Sequence, residues 1–270
     1  MQPFSLFAPA KVNLALHVLG RRADGYHDLD SIVVFADVGD RLTFTPSDRF
    51  AITVSGPFAA ALPQAEDNII AKSWAAAQAI AARRGRALPA AAVHLEKNLP
   101  VASGIGGGSA NAAAALKGFL RLAGIDRIDD EVIAAGLRIG ADVPVCLTGV
   151  ACRMQGVGER ITPLNAILVN PLVAVSTPAV FRSLALEKGQ SHGAAIADAR
   201  DPATWRNDLS QPATALAPVI GDVLSCLAAS PGITRAFMSG SGATCVALLA
   251  ADSATPKPDP RWWTARTVLG

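Results

Sequence analysis

Apolar residues take every second position at Val12, Leu14, Leu16 and Val18, the period of a strand whose side chains alternate between two faces. Residues 20–25, with Arg21, Arg22 and Asp24 between Gly20 and Gly25, read as a polar turn. Residues 31–35 and 41–45 read as two more strands separated by Gly39-Asp40, and residues 50–54 as another, ended by Gly56-Pro57. The period then changes. Ile70, Trp74, Ala77, Ile80 and Ala81 recur at helical spacing, which predicts a helix capped by Asp67 or Asn68, running to about Arg83 and stopped by Gly85. A strand over residues 91–95 leads through Lys97-Asn98-Leu99-Pro100 into a glycine-rich loop. Ser109 is expected to open an alanine-rich helix to about Leu122, followed by Gly124, and Asp129 to cap a helix that stops at Gly140.

Residues 145–147 and 150–154 are predicted as short strands, with a turn at Gln155-Gly156-Val157-Gly158. Residues 161–181 carry no charged side chain over 21 positions, but they hold Pro163, Pro171, Pro178, Asn165 and Asn170. Prolines and amides would leave unsatisfied polar groups in lipid, so this stretch reads as two short buried strands, near 167–169 and 172–175, and not as a membrane span. Helices are expected near 179–186 and 215–228. A strand over 233–238 enters Ser239-Gly240-Ser241-Gly242, with 245–249 as its hairpin partner. From Asp252 onward Thr255-Pro256-Lys257-Pro258-Asp259-Pro260 has the composition of a linker, and the pattern leaves open whether Trp262-Trp263 docks back. The alternation of strands and helices places the chain in the α/β (α+β) class.

Composition narrows the class of function. The 270 residues are 51% hydrophobic and 17% charged, enough apolar material for packed cores in one or two domains. Lys and Arg number 24 against 22 Asp and Glu, so no basic excess supports a nucleic-acid partner. Cys146, Cys152, Cys226 and Cys245 form no C-x-x-C pair and read as buried small residues in a reducing cytoplasm. The N-terminus has no basic residue before Lys11 and too short an apolar stretch for a secretion signal.

The strongest chemical signal is Pro100-Val101-Ala102-Ser103-Gly104-Ile105-Gly106-Gly107-Gly108-Ser109, between a strand and a helix. Glycines let the backbone approach a bulky anion, and the helix start presents unpaired N–H groups with the positive end of its dipole. That combination is a phosphate cradle. It lacks the G-x-x-x-x-G-K-[ST] pattern of a Walker loop. Gly104-x-Gly106-x-x-Ser109 nearly matches the dinucleotide fingerprint, with Asp126 about twenty residues on, but residues 116–122 continue a helix where that fingerprint needs a second strand.

Four other segments carry chemistry. Lys11 heads an apolar strand in Pro9-Ala10-Lys11-Val12-Asn13-Leu14. Gly25-Tyr26-His27-Asp28-Leu29 holds the chain's only tyrosine beside a histidine, a pair suited to stack on and hydrogen-bond a flat heterocycle. Asp142, in Gly140-Ala141-Asp142-Val143-Pro144, is either a cap or a carboxylate aimed into a cleft. Ser239-Gly240-Ser241-Gly242 is a second glycine loop after a strand.

The Lys11 head, the loop at 104–109 and Ser239-Gly240-Ser241-Gly242, in that order, resemble the three motifs of the GHMP small-molecule kinases. The head together with Gly20-Arg21-Arg22-Ala23-Asp24-Gly25-Tyr26-His27-Asp28-Leu29, and Gly140-Ala141-Asp142-Val143-Pro144, resembles one branch of them over residues 5 to about 250. That branch transfers phosphate from ATP, with Mg²⁺, to the 2-hydroxyl of 4-diphosphocytidyl-2-C-methyl-D-erythritol in the non-mevalonate isoprenoid pathway. The resemblance implies a two-domain GHMP kinase fold, with a ribosomal protein S5 domain 2-like N-terminal domain over 1–158 and a ferredoxin-like C-terminal domain over 159–252. Residues 253–270 would follow as a Pro-rich tail. It also implies a cytoplasmic enzyme with a small-molecule substrate, no nucleic-acid or membrane partner, and a monomeric or weakly dimeric state.

The resemblance carries roles onto matching positions. Asp142 would be the general base, with Lys11 beside it orienting the carboxylate and stabilising the attacking oxygen. Pro100, Val101, Ala102, Ser103, Gly104, Ile105, Gly106, Gly107, Gly108, Ser109 and Ala110 would hold the ATP phosphates, with Ser109 near Mg²⁺ and Asn68 near the adenine. His27 would pair with the cytosine edge, Tyr26 would pack against the ring, and Phe181 of Thr177-Pro178-Ala179-Val180-Phe181 would stack on its other face. Asn13 would hold the substrate near the reacting hydroxyl, and Gly240, Ser241 and Gly242 would shape its side of the cleft. One departure is Ser109-Ala110-Asn111, where the family commonly has two serines. Two other readings stay open: a sister GHMP kinase of the mevalonate or homoserine type, and a nucleotide sensor without activity.

Overall fold

A computed structural model describes residues 2–62, 68–154, 157–158, 163–251 and 253–270. Asp67 as a cap, the turn at Gln155-Gly156, the start of the apolar stretch at Ile161 and the linker start at Asp252 lie outside these residues. In chain order, the first elements are β1 (Phe4–Arg21), β2 (His27–Pro46), β3 (Ala51–Ser55), α1 (Ile69–Arg83) and β4 (Ala91–Glu96). Next come α2 (Gly107–Leu122), α3 (Asp130–Ile139), α4 (Val143–Thr148), β5 (Cys152–Arg153), β6 (Val157–Gly158) and β7 (Leu164–Asn170). The last are α5 (Thr177–Arg182), α6 (Ser210–Leu216), α7 (Val219–Ala228), β8 (Ile233–Met238), β9 (Cys245–Leu249) and β10 (Trp263–Leu269).

The chain forms two compact units from interleaved pieces. One comprises Met1–Ala10, Val38–Val101 and Gly106–Gly149, and the other Lys11–Asp37, Ala102–Ile105 and Val150–Gly270. The single boundary expected at residue 158 therefore does not describe them, because the long β1–β2 hairpin runs through both.

In the first unit β4 pairs antiparallel with the end of β2, from Arg41↔Glu96 to Pro46↔Ala91, and parallel with β3. Helices α1, α2, α3 and α4 pack on one another, and α2 lies against the sheet. A Cβ at Gly118 of α2 would fall 2.0 Å from Phe44 Cζ, so glycine lets the helix seat on that ring. Phe44 packs edge-on to Phe119, which meets Trp74 in the same way. The break expected at Gly39-Asp40 is absent, because β2 runs straight through it. A Cβ on Gly39 would lie 2.3 Å from the Ala8 carbonyl, so this glycine permits a close strand crossing and not a turn.

In the second unit β10, β7, β9 and β8 form an antiparallel sheet, with Leu269 of β10 also opposite Ala36 of β2. Helices α6 and α7 supply Ala213, Ile220, Val223 and Leu227 to a core with Val169, Met238, Cys245 and Ala247. The expected tail thus ends in a strand: β10 pairs with β7 from Trp263↔Asn170 to Leu269↔Leu164, and Trp262 packs on the core.

Other expectations change for local reasons. Residues 145–147 belong to α4 and not to a strand, because Pro144 sits in its first turn and Gly149 ends it at φ +65°. Residues 172–175 form no strand, since Leu172 turns the chain at φ +61° and gives its N–H to Asn170 Oδ1. The helix expected over 215–228 is two helices, because Pro218 forces Ala217 out of helical geometry. Helix α5 begins at Thr177, capped by Ser176, and α2 begins at Gly107. Cys146 and Cys245 are buried, but Cys152 and Cys226 are only half-buried. Among the described residues no helix is long and apolar enough to cross a membrane.

Candidate active site

The glycine loop keeps the backbone freedom its sequence promised. Ala102, Gly104 and Gly106 take φ of +50°, +76° and +62°, and Gly106 occupies the cap position of α2 with no side-chain bond to the helix N–H groups. Those N–H groups are the donors a phosphate needs. At Gly108, the exposed second residue of α2, an added Cβ would meet nothing within 4 Å.

Within the second unit, residues 102–105 are tied to strand β1 and to the β8–β9 turn. Lys11 N–H donates to Ile105 O at 2.9 Å, and Thr244 N–H to Ser103 O at 3.0 Å. Gly104 has no room for a side chain, because a Cβ would meet Ser239 O at 2.5 Å and Gly242 O at 2.7 Å. Gly240 is constrained in return by Gly104 O at 2.6 Å. The glycines of the second and third motifs therefore serve mutual close approach, which spacing alone does not show.

Lys11 and Asn13 share a face of β1, two residues apart, and are both buried. Lys11 Nζ donates to Asn13 Oδ1 at 2.8 Å, and Asn13 Nδ2 donates to Ser31 Oγ at 2.7 Å. Ser239 Oγ accepts from Asn13 N–H at 3.0 Å and donates to Gly104 O at 3.1 Å. The structure thus brings together Lys11, Asn13, Gly104 and Gly240. It adds Ser31, which the sequence reading does not single out, and gives Ser239 of the third motif a bonding role. Asn207 is another addition, its amide donating to Met238 O and Gly240 O, both at 2.8 Å.

The aromatic group lies in the same unit. Arg21 holds the turn before Tyr26 by donating to Gly25 O and Leu186 O. Tyr26 is 74% exposed, so its ring is open to a ligand. His27 stacks on Phe181, with centroids 4.7 Å apart and planes at 28°. A base between those two rings would need about twice an aromatic stacking distance, so in this geometry Phe181 covers the His27 face. Burial, and secondarily the Arg21 charge, hold the His27 ring below its ordinary pKa of 6.5. Thr177, at the start of α5 before Pro178, shares a 2.7 Å hydroxyl contact with Ser241.

Asp142, Ser109 and Asn68 belong to the first unit. Asp142 is the cap residue of α4, but its half-buried carboxylate makes no capping bond. A Cβ at Gly140 would lie 4.0 Å from Ser109 Oγ, which places the approach to Asp142 beside the start of α2. Asn68 caps α1 through Ile70 N–H at 2.9 Å. Beneath the glycine loop lies an unanticipated ion pair, Lys97–Asp40 at 2.6 Å, with both side chains buried. Burial pulls the Lys97 pKa down and the Asp40 charge opposes it.

Among the described residues no three His, Cys, Asp or Glu side chains gather as a metal cage. The donor near the loop is a hydroxyl, that of Ser109 at the start of α2. Such a donor suits a hard ion that arrives on a polyphosphate and keeps most of its waters.

Comparison with known proteins gives the family. The family model for the GHMP kinases N-terminal domain matches residues 68–150, and that for the GHMP kinases C-terminal domain matches residues 191–257. A 4-diphosphocytidyl-2-C-methyl-D-erythritol kinase from Dinoroseobacter shibae is 48% identical over 99% of this chain and 96% of its own. A crystal structure of 4-(cytidine 5'-diphospho)-2C-methyl-D-erythritol kinase superposes with a TM-score of 0.76, at 28% identity over 99% of both chains. A homoserine kinase from Cytophaga hutchinsonii superposes with a TM-score of 0.66 at 18% identity, over 99% of this chain and 94% of that one, which is a likeness of fold.

Proposed function

The chain belongs to the GHMP kinases, in the branch of the 4-diphosphocytidyl-2-C-methyl-D-erythritol kinases, and on that premise we propose how its residues divide the work of the reaction. It has the two-domain GHMP kinase fold of mixed α and β content, and it catalyses ATP-dependent phosphorylation of 4-diphosphocytidyl-2-C-methyl-D-erythritol. The observation that carries the substrate choice is full-length identity of 48% to a relative of that name, against 18% to a homoserine kinase that shares the fold.

ATP places its phosphates on the N–H groups at the start of α2, with residues Pro100 to Ala110 around them and Asn68 on the adenine side. Phosphoryl transfer asks a protein mainly for positioning and charge neutralisation. Mg²⁺ supplies part of that neutralisation when bound, and Ser109 is the residue that would hold it. Ala110 offers no second hydroxyl, so nucleotide oxygens and water would supply the other ligands.

Asp142 accepts the proton of the 2-hydroxyl as the oxygen attacks. Lys11 stabilises negative charge on the attacking oxygen, its Nζ steered by Asn13. Asn13 in turn is fixed by Ser31 and Ser239, so the substrate side is organised before binding. His27, neutral because burial lowers its pKa, offers one donor and one acceptor to the cytosine edge. Tyr26 covers the base, and Phe181 closes the other side after its ring parts from His27. Thr177, Pro178, Gly240, Ser241 and Gly242 line the substrate side. The working enzyme is cytoplasmic, takes small molecules alone, and is a monomer or weak dimer.

The test is an ADP-release assay with ATP, Mg²⁺ and 4-diphosphocytidyl-2-C-methyl-D-erythritol, run beside mevalonate, homoserine and galactose. Turnover of the cytidylyl compound alone is expected. Turnover of mevalonate or homoserine without it would assign the chain to a sister activity, and ATP binding with no transfer to any acceptor would make it a sensor.

A further inference from the structure

Asp40 and Lys97 are fully buried, yet none of the three motifs includes Asp40 and no step above uses either. Asp40 lies in β2 immediately before the part that pairs with β4, and Lys97 directly follows β4. Asp40 Oδ1 accepts from Asn98 N–H at 2.7 Å and from Leu99 N–H at 2.9 Å. Its Oδ2 accepts from Lys97 Nζ at 2.6 Å, and the same ammonium donates to Leu99 O at 2.7 Å. A Cβ at Gly107 would sit 3.4 Å from that nitrogen and 3.6 Å from Leu99 Cδ1. Leu99, where the chain enters the glycine loop, is thus bonded to the ammonium group, and Gly107, where it leaves into α2, lies beside it.

A buried ion pair is poor value as a source of stability. The cost of removing two charges from water roughly cancels their attraction, and a well-packed apolar pair does as well. What the pair does supply is geometry. It satisfies two buried backbone donors and one acceptor that would otherwise be orphaned at a chain reversal, and it fixes where the loop starts relative to the helix. Fixing the loop entry beside the helix start before a ligand arrives removes ordering entropy from the binding step.

We propose that Asp40 and Lys97 are positioning residues for the nucleotide, clamping the entry of the glycine loop beside the start of α2 so that ATP meets a preformed phosphate cradle. This rests on the reading that residues 100–110 hold the ATP phosphates. It predicts an effect on ATP that is separable from stability and from the cytidylyl substrate.

Lys97→Met alone would strand a buried carboxylate, so the informative variant is the double substitution Asp40→Asn with Lys97→Met, which removes both charges and retains an oxygen acceptor for Asn98 and Leu99. Melting within a few degrees of the parent, a KM for ATP raised about tenfold or more, and a KM for the cytidylyl substrate within about twofold support the proposal. A parental KM for ATP, or equal rises in both KM values, overturns it. Gly108→Leu, which puts a side chain where the phosphates approach, is the companion. If it impairs ATP binding and the double variant does not, the clamp is wrong and the loop assignment stands. If it leaves ATP binding intact, the loop assignment itself fails. Should the double variant not fold, hydrogen exchange on the parent decides: the Asn98 and Leu99 amides are expected to be as protected without nucleotide as those of β4, and exchange at exposed-amide rates overturns the clamp.

Discussion

Gly108→Leu separates what the fold needs at the phosphate loop from what the ligand needs. Gly108 is the second residue of α2, is exposed, and has nothing within 4 Å of an added Cβ. Glycine in a helix is less favourable than leucine by up to about 1 kcal/mol, so the ligand-free variant should melt at or slightly above the parent. The same open space is where ATP phosphates would approach the N–H groups of the helix start. A hydrogen bond to a charged group contributes about 1.5–3 kcal/mol, so excluding one or two of them costs about 3 kcal/mol. That corresponds to a Kd for ATP weaker by roughly 150-fold. Thermal melts with and without Mg-ATP read this directly. At about 100 times the parental Kd, nucleotide stabilises the parent by about 2.7 kcal/mol, whereas the variant, at the same concentration, should gain only about 0.3 kcal/mol. The ADP-release assay should show the matching rise in KM for ATP. A variant that melts like the parent and binds ATP within threefold of it would refute the reasoning, because nothing then approaches the backbone at Gly108.

Three further predictions follow from the same structure. Asp142→Asn should lower kcat by about 10²-fold or more with the KM of the cytidylyl substrate little changed, since a general base contributes about 10²–10⁴; a parental kcat would remove Asp142 from that role. The KM for the cytidylyl substrate should be flat from pH 8 to 6.5 and rise only at lower pH. The sign follows from His27, whose pKa is lowered, so that the neutral ring persists to below its ordinary 6.5 and the acceptor is lost as pH falls through the shifted value. An inflection above pH 6.5 in that KM profile would contradict the assignment. Gly118→Ala, 2.0 Å from Phe44 Cζ, should destabilise the protein by about 1–3 kcal/mol and leave both KM values alone; an unchanged melting temperature would mean that the buried ring can retreat.

The strand–helix order of the first unit was legible because its periods are clean. Asn68 and Asp129 cap the helices they were expected to cap, and β8 and β9 form the expected hairpin. Misreadings fall where a local signal has two meanings. Gly39 looks like a turn and is a strand crossing, and residues 145–147 look like a strand, because a short apolar run has no period to distinguish it from one helical turn. The Pro-rich end looks like a linker, yet β10 pairs along all of β7, since pairing depends on a partner far away in sequence.

At the candidate site the chemistry-bearing residues are local: Lys11 and Asn13 two apart on a strand, glycines before a helix, Tyr26 beside His27. Residue type and spacing were enough to nominate them, because a phosphate cradle and a strand face are properties of a few consecutive residues. Ser31, Asn207, Asp40 and Lys97, and the contacts made by Ser239, were not legible that way. Each acts by hydrogen bonding to groups brought beside it by the fold, Ser239 to Gly104 across 135 positions and Asp40 to Lys97 across 57. Residue type and chain order alone nominated the residues proposed for the chemistry. Tertiary structure decided which residues hold them in place, because a hydrogen bond acts over about 3 Å and the sequence does not record which distant atoms come that close.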